Sequence, residues 1–362
     1  MNAFEIPWKL VMNRLPRAPH EGGREMNRFH GSPDPEDDGY PEEWIGSDTR
    51  ITGALESGDP NLGCQKCVLP DGREIYLFEA IALDPEAALG KEHLKLIGPR
   101  TGILIKLLDF KNQLNLQTHP DRPYAKKWWN SDFGKAESWY ILAKREDAAE
   151  APYVYLGFKE GITRKDFEAG FYADDRKQME ACCHRIPVHA GDIFNVEAGV
   201  PHAVGPGCLI LEVQEPTDIN VIWRRKKDGT QEEQDYENER TLGCFHYDGR
   251  SFEENLKRFK ITRRLLREDS GFREEVLIGT KETPYFSFTE LEAGKPVPLL
   301  MTGHLQVGIV LEGEAELITE TGSLHVKQAD EFFVPAGVRA LRLVPGEKGA
   351  RVVLCHPAGV VR

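Results

Sequence analysis

Four polar residues in three short segments have the side-chain types that bind a divalent metal ion. In chain order they are Gln117, His119, Glu137 and His202. Two imidazoles, one amide and one carboxylate form a mixed set of nitrogen and oxygen ligands with a single negative charge. Such a set suits zinc with an open coordination position, or another borderline divalent metal.

The elements predicted around the first pair present both side chains to the same face of a sheet. Residues 103–108 form an apolar run of strand length that includes β-branched residues, and residues 112–119 alternate between polar and apolar. Because side chains two positions apart on a strand point the same way, Gln117 and His119 project together. Pro120 has no N–H to donate and ends the ladder.

Glu137 is the first residue of a further predicted strand. The apolar residues Trp139 and Ile141 follow it at alternate positions along this strand, which indicates that Glu137 faces inward. A buried carboxylate needs a cation or a hydrogen-bonding partner to stay ionised. A single histidine or glutamate on a strand is more often a satisfied structural residue than a ligand. Four such residues in matching contexts favour metal binding instead.

Four segments resemble those of the type I mannose-6-phosphate isomerases, and most closely the short bacterial branch of that family. They are residues 105–109, 116–121, 134–140 and 201–203, which occur in the family's order and nearly in its spacing. The resemblance extends from about residue 85 to the C-terminus. Members of the family are zinc-dependent cupins, so the resemblance implies one zinc ion, bound by the four residues named above.

A repeat supports a double barrel. Residues 191–202 and 329–340 align without gaps, and both resemble the second cupin motif. The position of His202 in the first copy is occupied by Ala340 in the second. One copy is therefore predicted to bind metal and the other is not.

The predicted architecture is mainly β, a bicupin of two antiparallel jelly-roll barrels with a small helical insertion. Residues 1–245 would form the metal-binding catalytic domain, with a loop-rich N-terminal segment and the insertion at about residues 163–184. Residues 246–362 would form a C-terminal cupin domain without a metal site, which provides packing and oligomer surface.

Other elements are predicted from their end signals. Asp84 as N-cap and Pro85 in the first turn start a helix that should run to about Ile97, before Gly-Pro. Residues 121–130 carry the signals of a short helix. Residues 72–78 read as part of a strand pair around a turn.

Two basic residues are predicted to act on the substrate. Lys135 falls in the family's Gly-Lys-x-Glu pattern, although it is expected to point away from the face of Glu137 unless the strand begins irregularly. Family members carry an arginine at the end of Ser-Asp-x-Thr-Tyr-Arg, where this chain has Ile222. Arg224 lies two residues further, on the same strand face and roughly 6.5–7 Å along it, and is predicted to substitute. The run at 224–227 is either a solvated hairpin end or a clamp for a phosphate or an enediolate.

The resemblance implies an isomerase that interconverts mannose 6-phosphate, or a related sugar phosphate, and fructose 6-phosphate through a cis-enediol. The metal would act as a Lewis acid. A base would move a proton between C1 and C2, while Arg224 or Lys135 stabilises the enediolate charge. Lys135, a metal-bound hydroxide and a carboxylate are all candidates for that base.

Three alternatives remain open from the sequence. An iron-dependent oxygenase would use a set richer in histidine, so the glutamine and glutamate here favour zinc. A metal cupin acting on another sugar would keep the same ligands. A non-catalytic sugar-binding or regulatory protein would keep the zinc site and lose the arginine, and Ile222 favours that alternative.

Composition excludes several other classes of function. The chain has 362 residues, and 46 basic against 59 acidic residues give a formal net charge of −13, which argues against nucleic acid or an anionic membrane as partner. A sugar phosphate would need a local cluster of basic residues. No apolar run of about 18 residues is present, and the start lacks the layout of a signal peptide. A cytoplasmic protein, possibly a homo-oligomer, is expected.

The cysteines are predicted to be reduced thiols. There are 7 of them, and Cys64 and Cys67 form a lone CxxC. A zinc ribbon would need a second such pair, and the spacings show no disulfide framework.

Overall fold

Antiparallel strands form most of the regular structure in the computed structural model, which describes residues 2–17, 19–52, 54, 57–146, 148 and 150–360. The strands are β1 Trp8–Leu10, β2 Arg14–Leu15, β3 Glu42–Ile45, β4 Lys66–Val68, β5 Glu74–Tyr76, β6 Leu104–Phe110, β7 Gln117–Thr118, β8 Glu137–Lys144, β9 Tyr153–Phe158, β10 Cys183–Pro187, β11 Ile193–Val196, β12 His202–Val204, β13 Cys208–Gln214, β14 Val221–Ile222, β15 Lys260–Ile261, β16 Arg264–Asp269, β17 Phe272–Ile278, β18 Phe286–Ala293, β19 Val297–Pro298, β20 Gln306–Ile318, β21 Ser323–Lys327, β22 Glu331–Val334 and β23 Arg342–Pro357. The helices are α1 Arg24–Phe29, α2 Leu77–Leu83, α3 Pro85–Leu89, α4 Lys91–Leu96, α5 Arg122–Trp129, α6 Arg164–Ala173, α7 Arg176–Ala181, α8 Gln231–Leu242 and α9 Phe252–Phe259. The predicted mainly β, antiparallel fold is confirmed.

The first barrel consists of two sheets. One is seven-stranded, in the order β15-β11-β8-β13-β6-β3-β2, and the other is five-stranded, in the order β10-β9-β12-β7-β14. Apolar side chains from both sheets, such as Ile141 and Leu156, fill the space between them. All four predicted metal ligands lie on or directly beside β7, β8 and β12, so both sheets contribute to the site.

The second barrel is built from an 11-stranded sheet with the main order β16-β17-β18-β23-β20-β22-β1-β4-β5. Its interior is a separate apolar core that includes Val310, Leu317 and Phe332. The long strand β20 has 13 residues. Irregularities in its pairing with β23, between residues 310 and 315, let one continuous strand bend around the barrel.

The two barrels pack through a third core that lies between their large sheets. Leu107 of β6 and Leu211 of β13 point into this core, together with Val307 and Val353 of the second barrel. Alternate residues of the same strands point into the first barrel instead. Both faces of β6 and β13 are therefore buried, which explains their nearly continuous apolar sequence.

Strand pairing crosses the predicted division at residue 245 in both directions. Near the N-terminus, β1 pairs with β22 of the second barrel, Trp8 opposite Phe333, and their rings stack at 5.1 Å. Conversely, β15 pairs with β11 of the first barrel. The division into residues 1–245 and 246–362 stays a prediction, but each part contributes strands to a sheet of the other.

Several local predictions need correction. The helix expected from Pro85 to Ile97 is interrupted at Gly90, whose φ of 95° no helix tolerates. The segment 72–78 does not continue as a strand, because α2 begins at Leu77. The alternation at 112–119 yields only the two-residue strand β7, and α8 occupies a charged stretch for which no helix was predicted.

Other local predictions agree with the structure. Asp121 caps α5 by accepting from Tyr124 N–H, and α6 and α7 form the helical insertion near residues 163–184. The seven cysteines are free and buried, and burial raises the pKa of Cys67 to about 12. None of the helices in the described ranges is long and apolar enough to cross a membrane.

Candidate metal centre and its cavity

Three ligand-type side chains of the first barrel meet in a buried cluster. His119, Glu137 and His202 each offer one ligand atom, and these atoms lie within 4.8 Å of one another. His119 Nε2 lies 3.2 Å from Glu137 Oε2 and 3.2 Å from His202 Nε2, and His202 Nε2 lies 3.4 Å from Glu137 Oε1. Each residue is only 1% exposed. The structure thus brings three of the four predicted ligands together.

Strands of both sheets hold these side chains. Glu137 begins β8 of the seven-stranded sheet, and His202 begins β12 of the five-stranded sheet. His202 pairs in register with Gln117 on β7, so these two side chains lie on the same face. Gln117 and Glu137 line the same cavity. The position of Gln117 suits a fourth ligand, and that role stays a prediction.

Backbone carbonyls orient the two imidazoles. His119 Nδ1 lies 3.0 Å from Ile219 O, and His202 Nδ1 lies 2.9 Å from Val200 O. Because a carbonyl only accepts, each Nδ1 carries the proton and each Nε2 presents a lone pair. Burial, and next the charge of Lys135, lowers the pKa of His119 to about 3, and burial lowers the pKa of His202. Both rings are neutral, which is the form that binds metals.

Glu137 supplies the negative charge of the cluster. Burial opposes its ionisation, but the charge of Lys135 outweighs burial and holds the pKa of Glu137 well below its usual value. Trp139 Nε1 donates to Oε1 at 3.0 Å, whereas the buried Oε2 has no aligned hydrogen-bond donor among the described residues. An under-satisfied carboxylate oxygen beside two Nε2 lone pairs fits a divalent cation.

Comparisons with known proteins point to one family. No family model matches the chain. The chain is 36% identical over 132 residues to the probable mannose-6-phosphate isomerase GmuF of Bacillus subtilis (strain 168), a match that covers 35% of this chain and 39% of GmuF. It is 26% identical over 274 residues to the mannose-6-phosphate isomerase ManA of the same organism, which covers 72% of this chain and 77% of ManA. The GmuF match thus spans less than half of either protein.

Solved structures share the fold over nearly the whole chain. The mannose 6-phosphate isomerase of Bacillus subtilis superposes with a TM-score of 0.73 at 18% identity, covering 97% of this chain and 99% of that one. A zinc-bound mannose 6-phosphate isomerase gives a TM-score of 0.73 at 13% identity, with coverage of 97% and 99%. The chain is similar in sequence to mannose-6-phosphate isomerases and shares the fold of their solved structures. The predicted resemblance to this family and the cupin fold are confirmed.

Lys135 lies inside the cluster. Its Nζ is 2.7 Å from His119 Nε2, 3.2 Å from Glu137 Oε2 and 3.0 Å from Asn220 Oδ1. The expectation that Lys135 points away from Glu137 was wrong. Lys135 and Glu137 are two positions apart in the sequence, not one, so their side chains can share a face. Lys135 also precedes β8, and its backbone N–H donates to Pro120 O. The catalytic role of Lys135 stays a prediction.

Arg224 is not brought to the cluster. The same-face argument assumed that β14 continues, but this strand ends at Ile222. Arg224 is exposed and lines a neighbouring cavity of about 350 Å³, whereas the metal cluster lies at a cavity of about 240 Å³. Asn220 and Ile222 line both cavities. The role of Arg224 in catalysis stays a prediction.

A buried ion pair in the same cavity was missed by the sequence analysis. Lys106 Nζ lies 3.3 Å from Glu212 Oε1, and both side chains are almost fully buried. Burial, and next the charge of Glu137, raises the pKa of Glu212. The signal was present in the sequence, since each of these residues is a charged residue inside an apolar strand that would otherwise be buried.

The N-terminal segment also reaches this cavity. Arg17, His20 and Glu42 are among its lining residues. The segment carries no recognisable motif, and the family resemblance has faded there. Sequence reasoning had no signal for these contacts, because they depend on β2 and β3 joining the seven-stranded sheet next to β6.

Proposed function

We propose that this protein is a zinc-dependent isomerase that interconverts mannose 6-phosphate and fructose 6-phosphate. The observation that carries the proposal is the buried cluster of His119, Glu137 and His202 in the first barrel of an isomerase-family fold. The names of the relatives support the substrate, and the zinc-bound neighbour supports the metal. A cytoplasmic location fits such a reaction and remains a prediction, as does a homo-oligomer.

The zinc ion would be held by the two imidazole Nε2 atoms and the Glu137 carboxylate, with the Gln117 amide oxygen as proposed fourth ligand. When bound, it supplies the Lewis acidity that polarises the sugar carbonyl and acidifies the adjacent C–H. The chain itself keeps both rings neutral and correctly oriented through their Nδ1 contacts.

The isomerisation is internally balanced and needs no external oxidant or reductant. A proton leaves C2 of the aldose and a proton is added at C1, while the hydroxyl proton on O2 passes to O1. C2 is thereby oxidised to the ketone carbon and C1 is reduced to a hydroxymethyl group. Lys135 and Glu212 line the cavity and are our candidates for moving this proton. The raised pKa of Glu212 suits a group that must take up a proton as well as release it.

The phosphate end of the substrate would bind in the neighbouring cavity. Its lining includes four basic and two acidic side chains, namely Arg224, Arg225, Lys226, Arg240, Asp228 and Glu237, so its local charge is positive in a chain that is acidic overall. Because Asn220 and Ile222 separate this cavity from the metal cluster, a sugar could span the two. Arg224 would then bind phosphate, for which a guanidinium has suitable geometry.

A second candidate function is a sugar-binding protein without turnover. The observation that favours it is Ile222, which lines the cavity at 39% exposure and cannot supply the charge of the family arginine. A coupled assay decides between the two functions. Purified, zinc-loaded protein should form fructose 6-phosphate from mannose 6-phosphate, whereas absence of turnover together with sugar-phosphate binding would favour the binding protein.

A further inference from the structure

The segment at residues 217–222 holds the metal site in place although it lacks the family arginine. The Ile219 carbonyl accepts from His119 Nδ1 at 3.0 Å. Asn220 Oδ1 accepts from Lys135 Nζ at 3.0 Å. The last residue, Ile222, is apolar and reaches the cavity. A guanidinium in this cavity must therefore come from another part of the chain.

Arg17, from the N-terminal segment, lies against this same segment. Its Nη2 donates to Asp218 Oδ1 at 3.3 Å, and its Nε lies 2.9 Å from Glu42 Oε2. The guanidinium is 5.4 Å from the centre of the Trp44 ring. The side chain is 20% exposed and lines the cavity that Glu137 of the metal cluster also lines. Two carboxylates and an aromatic ring thus fix its position.

A short hydrogen-bond chain joins Arg17 to the cluster. Asp218, which accepts from Arg17, also accepts from Asn220 Nδ2 at 3.2 Å. Asn220 in turn accepts from Lys135, whose ammonium contacts His119 Nε2. Arg17 is therefore positioned by the same residues that position the metal site.

Two other cations near the cavity, Lys106 and Arg224, are less suited to an anionic reaction intermediate. Lys106 is committed to Glu212, in a pair that is almost fully buried. Arg224 is exposed and lies in the neighbouring cavity. Arg17 uses Nε and Nη2 for its carboxylates, and in the described part of the chain its Nη1 makes no hydrogen bond to another residue. This amino group is available for a substrate oxygen.

We propose that Arg17 contacts the sugar and stabilises the enediolate formed in this cavity, in the role that Ile222 cannot perform. The proposal rests on the proposed isomerase function. Arginine suits the role because it stays charged beside a divalent cation and donates through a rigid planar fork. Such a donor, aimed at developing charge in a buried site, contributes to turnover more than to binding.

The test compares Arg17→Lys and Arg17→Ala with wild-type enzyme, all zinc-loaded. Arg17→Lys keeps the positive charge between Glu42 and Asp218, and so protects against misfolding from unpaired buried carboxylates. We expect kcat for mannose 6-phosphate to fall by about 10²–10³-fold in both variants, as for loss of one transition-state donor, with KM changed much less and zinc content unchanged. Added guanidinium should restore part of the kcat of Arg17→Ala.

Arg73→Ala is the matched control, since this exposed arginine forms an ion pair with Asp71 in the turn between β4 and β5, and its kinetics should match wild type. If wild-type enzyme turns over and the kcat of Arg17→Lys is within threefold of wild type, the proposed role of Arg17 is overturned. The proposed isomerase function then still stands. Loss of zinc together with activity would show that Arg17 merely holds the site together, which also overturns the proposal. If wild-type enzyme does not turn over, the proposed function fails and this inference fails with it.

Discussion

Each clustered ligand is held by a contact outside the cluster. The imidazoles of His119 and His202 donate to backbone carbonyls, and Trp139 donates to Glu137. These contacts direct the ligand atoms toward one point before any metal arrives. Preorganisation of this kind reduces the loss of side-chain freedom on binding, so zinc affinity should depend on these contacts as well as on the ligands.

Replacing His119 tests the metal centre directly. We expect His119→Ala to lose zinc and activity together, because a ligand is removed. Metal analysis of protein purified without added metal, alongside the isomerase assay, provides the measurement. His189→Ala is the control, since His189 is 70% exposed on a turn of the same barrel. Full zinc occupancy in His119→Ala would contradict the assignment.

Gln117 is the predicted ligand outside the cluster of His119, Glu137 and His202, so its role is tested separately. If its amide oxygen completes the set, Gln117→Ala should weaken zinc binding by at least roughly 10–100-fold, the range for loss of an outer contact. Competition with a chelator measures this affinity. Gln178→Ala, an exposed position on α7, should leave it unchanged. Equal affinities in the two variants would remove Gln117 from the set.

For individual site residues, the sequence analysis found those whose spacing matches a known pattern. It missed those whose position depends on tertiary contacts. His119, Glu137 and His202 were found because their segments occur in the family's order. Arg17 was missed because its approach to the cavity depends on pairing between β2 and β3. The position of Arg224 was wrongly inferred from a strand that ends two residues earlier.

The break between α3 and α4 shows how a neighbouring element overrides a local pattern. Asp84 starts α3 as its cap suggested, because capping is a local interaction. The end of α3 is set elsewhere, since Ala336 and Gly337 of the second barrel donate to the carbonyls of Ala88 and Ala87. In a continued helix these carbonyls would accept from N–H groups of the next turn. The sequence of residues 85–97 gives no indication that their partners lie in the second barrel.

Gly90 at this break makes a quantitative test possible. Its φ is +95°, and a Cβ there would overlap the carbonyl oxygen of Gly303. Gly98 has a similar φ of +92° but open space around it. Gly98→Ala should therefore cost about 1–2 kcal/mol from backbone strain alone, whereas Gly90→Ala should cost clearly more. Urea unfolding of both variants measures the difference, and equal costs would contradict this account.

On the scale of the whole molecule, a pair of carboxyl groups lies at the seam between the barrels. Glu43 of β3 and Glu331 of β22 are both buried. Gln65 Nε2 donates to Glu331 at 2.5 Å, and His30 contacts Glu43 at 2.6 Å. Burial, and next the charge of Glu43, raises the pKa of Glu331 well above its usual value. Glu331 is therefore held in its protonated form to a higher pH than in the unfolded chain.

The raised pKa of Glu331 sets the sign of a pH effect. Below the usual pKa of 4.5, Glu331 is protonated in both the folded and the unfolded chain. Above it, only the folded chain keeps the proton, so the free energy of unfolding falls by about 1.4 kcal/mol for each pH unit between the unfolded and the folded pKa. Glu331→Gln should flatten this decline. The unfolding temperature of the variant should therefore fall less between pH 5 and pH 8 than that of the wild type.

The control for this effect is Glu314→Gln, an exposed glutamate of the same barrel, which should leave the pH dependence as in wild type. Thermal unfolding at several pH values between 5 and 8 provides the measurement. A steeper decline in Glu331→Gln than in wild type would show that the sign is wrong.

The pairing of β1 with β22 has a consequence for how the protein is made. Lys9 lies opposite Phe332, which follows it 323 positions later in the chain. At a translation rate of roughly 5–20 residues per second, the ribosome delivers this partner about 16–65 s after β1 emerges. During that interval β1 can pair with β4 but not with β22. Completion of the second barrel therefore awaits the synthesis of β22.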